Sequence, residues 1–199
     1  MRQSRRYDRA VTAASDSIFT IPTLRTERLV LRAFGESDLD AFAAMCADPE
    51  VMRYIGPGDT IDRAMAWRSL ALFNGHWSLK GHGMWAVERA ADGALLGRAG
   101  FLDLPGWPGL EVGWLLAREH WGRGYAREAA AASLRFGFDV LRRERLISMV
   151  HPDNLRSSRL AEALGARHEG DVELFGRRVR LYVHRAASAA TSATGGSAA

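Results

Sequence analysis

The sequence predicts an α+β fold, an α/β sandwich in which a mixed sheet carries helices on both faces. Three observations carry that expectation. Asp92-Gly93 separates the runs GMWAVER and ALLGRAGFL, the pattern of two strands closed by a tight hairpin turn. A third apolar run, LEVGWLL, passes through a glycine turn into an alanine-rich amphipathic stretch, so a strand feeds a helix directly. The remainder reads as strand, helix and hairpin, an order that packs helices against a mixed sheet.

In chain order, RLVLRAF at residues 28–34 alternates and reads as the first strand. Ser37 suits a helix N-cap, and Leu39, Phe42, Ala43 and Cys46 make an apolar stripe that ends before Pro49. A second helix is expected after Thr60, carrying Met65, Trp67 and Leu70 toward Phe73. The hairpin follows, and the loop DLPGWPG leads to the third strand of this meander at residues 110–116. The next helix covers about 125–141, with Ala126, Ala130, Leu134, Phe138 and Leu141 buried and Arg127, Glu128, Arg135 and Arg142 facing out. RLISMVH is a strand, a helix over about 154–164 closes on Gly165, and ARHEGDVELF with RRVRLYVHR makes the last hairpin. The chain thus divides into a flexible N-terminal tail (1–22), one domain without linker or repeat (23–185) and a low-complexity C-terminal tail (186–199).

The 199 residues suffice for one domain with a sizeable core, and 47% hydrophobic with 25% charged residues is a soluble globular balance. The net charge is +4, and of 27 basic residues only Lys80 is a lysine. Arginine favours planar, bidentate contact with phosphate, so an arginine-lined anion site is one reading of that bias and a GC-rich genome another. The arginines are scattered rather than gathered in one run, which argues against a nucleic-acid partner. Cys46 stands alone, so no disulfide within the chain and no cysteine zinc cluster can form. The six histidines lack ligand spacing, and no metal is expected. The arginine-rich start has no apolar signal-peptide core, and no segment approaches the roughly 18 apolar residues of a membrane helix. The expectation is a cytoplasmic protein without a membrane partner, a monomer or homodimer. Trp67, Trp85 and Trp114 sit in apolar patterns that read as core, whereas Trp107, in the Pro/Gly loop, is placed to line a substrate cleft.

Chemistry enters at Trp121-Gly122-Arg123-Gly124-Tyr125-Ala126. A strand that stops at a glycine turn opening a helix aims backbone N–H groups and the helix dipole at one spot, which favours phosphate. The dinucleotide fingerprint needs a third glycine where Arg127 stands, and the P-loop needs a Gly-Lys-Ser/Thr that this chain lacks. The loop resembles the acyl-coenzyme A loop of the GNAT N-acetyltransferases, Gln/Arg-x-x-Gly-x-Gly/Ala, with Trp121, Gly124 and Ala126 at the three marked positions. Tryptophan there departs from the general pattern and is similar to the branch of ribosomal-protein N-terminal acetyltransferases, with its WGxGYAxEA. Downstream, HPDNLRSSRLAEALGA resembles the later motif Asn-x-x-Ser/Ala-x-x-Leu-x-x-x-Leu-Gly-Phe through Asn154, Ser157, Leu160, Leu164 and Gly165. LRTERLVLRAFGESDLDAF resembles the opening strand and helix of the same branch, so the likeness covers about residues 24–184.

The resemblance implies the GNAT fold and transfer of an acetyl group from acetyl-CoA, as co-substrate, to a primary amine by direct attack. It implies that the strand ending at Leu116 offers backbone groups to pantetheine and that residues 121–126, Arg123 included, cradle the pyrophosphate. Arg118 or Arg127 would reach the outer phosphate, or be plain surface arginines. Asn154 would tether pantetheine, or serve only as an N-cap. The general base is expected at Glu111, which shares a strand face with Gly113 and Leu115; the alternative is a solvated carboxylate or the partner of a structural arginine. Many relatives place a tyrosine acid where this chain has Ala161, and Ser157, before Ser158, is expected to serve the leaving sulfur instead. That departure keeps open a second reading, a noncatalytic acyl-CoA sensor. The acceptor is a small-molecule amine or a protein N-terminus, bordered by residues 52–59, the Trp107 loop and the last hairpin.

Overall fold

Met84 and Ala86 face one side of the sheet and Trp85 and Val87 the other, and all four are fully buried. Such a strand needs cover on both faces. The computed structural model describes residues 20–174 and 176–186. The strands are β1 (Leu24–Arg25), β2 (Leu29–Arg32), β3 (Met84–Arg89), β4 (Leu95–Leu102), β5 (Glu111–Leu116), β6 (Arg145–Val150), β7 (Arg167–Leu174) and β8 (Arg177–Arg185). The helices are α1 (Leu39–Cys46), α2 (Pro49–Met52), α3 (Arg63–Lys80), α4 (Tyr125–Arg135) and α5 (Leu155–Ala163). Among the described residues eight strands form one sheet in the order β1-β2-β3-β4-β5-β6-β8-β7. Every neighbouring pair is antiparallel except β5 and β6, which are parallel. This is the expected mixed sheet.

Helix α4 covers one face, where Ala129, Ala132 and Leu134 join Leu29, Leu31, Trp85, Val87 and Phe101 in one apolar cluster. The opposite face carries Phe34, Leu39, Phe42, Leu70 and Phe73 from the α1–α3 side against Met84, Ala86 and Leu115. Helix α4 ends in a π turn, Phe136–Val140, so the helical stretch does reach the expected limit near residue 141.

Several local expectations are corrected. Ser37 does not cap α1; it is exposed in a 3₁₀ turn, Glu36–Asp38. Asp38 instead accepts from the Gly35 N–H at 2.8 Å and from Arg32 Nη1 and Nη2 at 2.7 and 2.8 Å. Helix α3 runs to Lys80, capped by Asp62, and buries Ala66, Leu70, Phe73 and Trp77 at i, i+4, i+7 and i+11. That spacing turns Met65 and Trp67 outward, 43% and 48% exposed. Glu128, expected outside, is held under β2. Two residues of the expected N-terminal tail lie against the domain. Ile21 packs on the core, and Trp85 Nε1 donates to the Pro22 carbonyl at 2.7 Å. The remaining residues of the two expected tails, 1–19 and 187–199, lie outside the described residues.

Candidate active site

The site begins where two strands part. β5 and β6 share one register position, Glu111 with Ile147, where the Ile147 N–H donates to the Leu110 carbonyl at 3.0 Å. One residue on, a side chain replaces the ladder: Ser148 Oγ donates to the Val112 carbonyl at 2.7 Å. The β4–β5 ladder uses the backbone of Gly113 and Leu115, so alternation turns the backbone groups of Trp114 and Leu116 toward β6, where pairing has ended. Both residues line a cavity of about 230 Å³.

The glycine loop closes that cavity. Gly122 and Gly124 adopt φ of +73° and +80°, the left-handed region that side-chain-bearing residues avoid. Gly124 is the N-cap of α4, so the first N–H groups of a long helix face the cavity beside Tyr125 and Ala126, which line it. Trp121 Nε1 donates back to the Leu116 carbonyl at 2.9 Å, tying loop to strand. Arg28 Nη1 donates to the Arg123 carbonyl, and Glu128 holds that guanidinium in place. Arg123 itself is exposed and does not line the cavity, whereas Arg127 and Arg156 do. Arg118 is engaged elsewhere, paired with Asp48 at 3.1 Å.

Helix α5 supplies the opposite wall. Asn154 Oδ1 accepts from the Ser157 N–H at 3.2 Å, so the side chain caps α5, and the residue also lines the cavity. Ser157 lines the cavity, while Ser158 is buried beneath it. Arg156 lies 3.8 Å over the Trp121 ring, joining α5 to the loop. Ala161, at the position of the family's tyrosine, is fully buried against Val150 and Tyr182.

A smaller cavity of about 80 Å³ adjoins the first, and Tyr54, Ile55, Trp114, Asn154 and Ser157 line both. Glu111 faces this second space together with Arg98, Gly113 and His151. Trp107 Nε1 donates to Glu111 Oε2 at 2.9 Å, so Trp107 holds the carboxylate and does not itself line the cleft. Burial pushes the Glu111 carboxyl above the ordinary carboxylate range, against the Trp107 hydrogen bond, the Arg98 charge and the Met149 backbone. Of the segments expected on the acceptor side, residues 52–59 line the space through Tyr54 and Ile55, and the last hairpin braces them: Arg177 donates to the Gly56 carbonyl at 3.1 Å.

Residues 28–167 match the acetyltransferase (GNAT) domain family. The chain belongs to that family. It is 31% identical over 150 residues to the uncharacterized N-acetyltransferase YoaA of Bacillus subtilis (strain 168), covering 75% of this chain and 85% of the relative. The acetyltransferase from Agrobacterium tumefaciens str. C58 superposes with a TM-score of 0.75 at 33% identity, over 84% of this chain and 96% of that one. The ribosomal-protein-S5-alanine acetyltransferase from Vibrio fischeri shares the fold at 17% identity and a TM-score of 0.66, over 83% of this chain and 97% of that one.

Within this GNAT domain the residues singled out from sequence, Arg123 apart, border two adjoining cavities. Leu116, Trp121, Gly122, Gly124, Tyr125, Ala126, Asn154 and Ser157 line the larger cavity, and Glu111 lines the smaller one beside it. Arg98 and Arg156 were not foreseen. Each lies on an element whose own pattern is satisfied by a helix turn or a strand, and only the tertiary arrangement brings them to the site. Among the described residues no helix is long and apolar enough to cross a membrane.

Proposed function

We propose that this GNAT acetyltransferase moves an acetyl group from acetyl-CoA to a primary amine by direct attack. The observation that carries the reading is the junction of two cavities. One is built from a split strand, a glycine loop and a helix N-terminus, and the other holds a carboxylate whose proton affinity is raised. The α4 N-terminus and the loop amides suit a pyrophosphate, with Arg127 and Arg156 at hand for phosphate charge. The backbone of Trp114 and Leu116 and the Asn154 amide suit the amides of pantetheine. The thioester then lies near Trp114 and Ser157, where the cavities meet.

An amine arrives mostly as ammonium. Glu111 attracts it and takes its proton, directly or through a water. The amine nitrogen attacks the thioester carbonyl carbon, the C–S bond breaks, and the thiolate, stabilised by a hydrogen bond from Ser157, takes the second proton that the nitrogen gives up, directly or through a water. Because the thioester is already activated, most of the rate comes from positioning. The compartment that fits a single buried cysteine is a reducing one, the cytoplasm. Thiol release against an amine panel, with acetyl-CoA binding measured alongside, tests the reading. Amine-dependent thiol release supports it, and tight acetyl-CoA binding without turnover on any amine favours the sensor instead.

A further inference from the structure

Arg98 lies in the middle of β4, on the same sheet face as Glu111. The register pairs Arg98 with Leu115, Gly100 with Gly113 and Leu102 with Glu111, so a pair of glycines separates the guanidinium row from the carboxylate row. A Cβ at Gly113 would stand 3.4 Å from Met84 Cε and 3.9 Å from Glu111 Oε1. The missing side chain is thus part of the floor of the smaller cavity, which Arg98, Gly113 and Glu111 all line.

The guanidinium is supplied with almost nothing to bind. A guanidinium carries five N–H donors. Arg98 Nη1 meets the Met84 sulfur at 3.4 Å, and the group lies 5.4 Å from the Phe73 ring centroid. Among the described residues no carboxylate reaches it within ion-pair distance. Arg32, on the same face of the sheet, shows the usual solution, with Asp38 at 2.7 Å and Glu88 at 2.6 Å. Glu111 is close enough to be felt electrostatically, but its Oε2 is taken by Trp107. Burial pulls the Arg98 pKa below its ordinary value, the mark of a cation short of partners. A guanidinium that lines a cavity without an oxygen partner is free to take one from a ligand, and a carboxylate is the group its planar fork fits best.

We propose that Arg98 is the acceptor's anion subsite, so that the substrate is a small amino acid whose amine meets Glu111 and whose carboxylate meets Arg98. This rests on the acetyl-transfer reading above. A zwitterion matches both charges at once, whereas a protein N-terminus has an amide where the carboxylate would be. The size agrees: about 10–15 Å³ holds one water, and the space of about 80 Å³ therefore suits on the order of six heavy atoms.

The test compares the twenty L-amino acids with their methyl esters as acceptors, by thiol release at neutral pH. Esterification removes the carboxylate and also leaves more of the amine unprotonated, so simple nucleophilicity favours the esters. At least one free acid is expected to exceed its ester at least tenfold in kcat/KM. Arg98→Gln is expected to cut that acid-over-ester ratio at least tenfold, through KM for the acid, and Arg98→Lys to cut it less. Acetyl-CoA binding, measured for both variants, reports an intact fold. Equal turnover of acids and esters, esters alone as acceptors, or an Arg98→Gln loss shared equally by both series overturns the inference and leaves acetyl transfer standing. Thiol release from no amine of either kind overturns both.

Discussion

Arg28 donates through Nη1 to the carbonyl oxygen of Arg123 at 3.0 Å, although 95 residues separate them. The same guanidinium binds Glu128 through Nε at 2.7 Å and lies 4.7 Å from the Tyr125 ring centroid. Glu128 also accepts from Thr26 Oγ1 at 2.6 Å and the Arg28 N–H at 2.9 Å. The turn that leads into β2 therefore braces the glycine loop from behind, and the loop's shape is stored partly in a segment that does not line the cavity.

Arg28→Met is expected to loosen that brace. The acetyl-CoA dissociation constant should rise about tenfold, the equivalent of about 1.4 kcal/mol, while acceptor selectivity stays as it was. Calorimetric titration with acetyl-CoA checks this, and an unchanged affinity would show that the loop holds its form alone.

Gly124 has φ +80° and a Cβ there would stand 3.3 Å from Arg28 Nη2. Gly124→Ala should cost about 1–2 kcal/mol of backbone strain and weaken acetyl-CoA binding by more than that. If thermal stability and cofactor affinity fall in step, the glycine serves the turn and not the ligand.

Two substitutions separate the capping of α5 by Asn154 from its proposed contact with pantetheine. Asn154→Ser keeps a capping oxygen and removes the Nδ2 donor; it should leave the melting temperature near wild type and raise KM for acetyl-CoA. Asn154→Ala should do both kinds of damage, with about 1 kcal/mol of lost stability. A serine variant with wild-type KM would reduce the residue to a cap.

Glu111→Gln should lower turnover roughly 10²-fold or more near neutral pH, and the deficit should shrink at high pH, where free amine forms unaided. The base must be ionised to act, so wild-type activity should rise with pH through its raised pKa. Stability follows the opposite sign. A carboxyl raised on folding favours its neutral form, and ionising it costs stability as pH rises through the folded value. Glu111→Gln should therefore melt higher than wild type at neutral pH and no higher below the ordinary carboxylate range. Undiminished turnover in the glutamine variant would dismiss Glu111 as the base.

Asp38 runs the other way. Burial raises its pKa, but the Arg32 hydrogen bonds, the Gly35 N–H and the Arg32 charge outweigh that and bring it below the ordinary value. Its stabilisation is present above the unfolded pKa and is lost as pH falls through the folded one. Asp38→Asn should cost about 3 kcal/mol at neutral pH, and denaturant melts should find the gap closing below about pH 4.

The strand–loop–helix unit from Glu111 to Arg135 was legible because its signals are local: alternation, two glycines and a helical stripe in one run. The α5 segment was legible for the same reason, from Asn154 at its start to Gly165 at its end. Glu128 was misread because a carboxylate between Arg127 and the apolar stripe looks like surface until β2 is laid beside it. Trp107 was placed in the cleft because a tryptophan in a Pro/Gly loop has no local partner, and its partner proved to be the carboxylate four residues on. Nothing local distinguishes Arg98 from any arginine in a strand; its meaning comes from Phe73, Met84 and Gly113, which the fold alone assembles.

The lone rung between Glu111 and Ile147 makes the sheet a hinged pair of plates. Five strands on one side and three on the other are each joined by antiparallel pairing. The seam between them has little backbone pairing of its own, and the Ser148–Val112 bond and the Glu111 carboxylate at the Met149 backbone latch it. A molecule threaded into the gap would supply the missing crosslinks from one plate to the other, so occupancy should register as rigidity. Amide protons along Trp114–Leu116 and Met149–Val150 are then where slowed exchange should concentrate when acetyl-CoA binds.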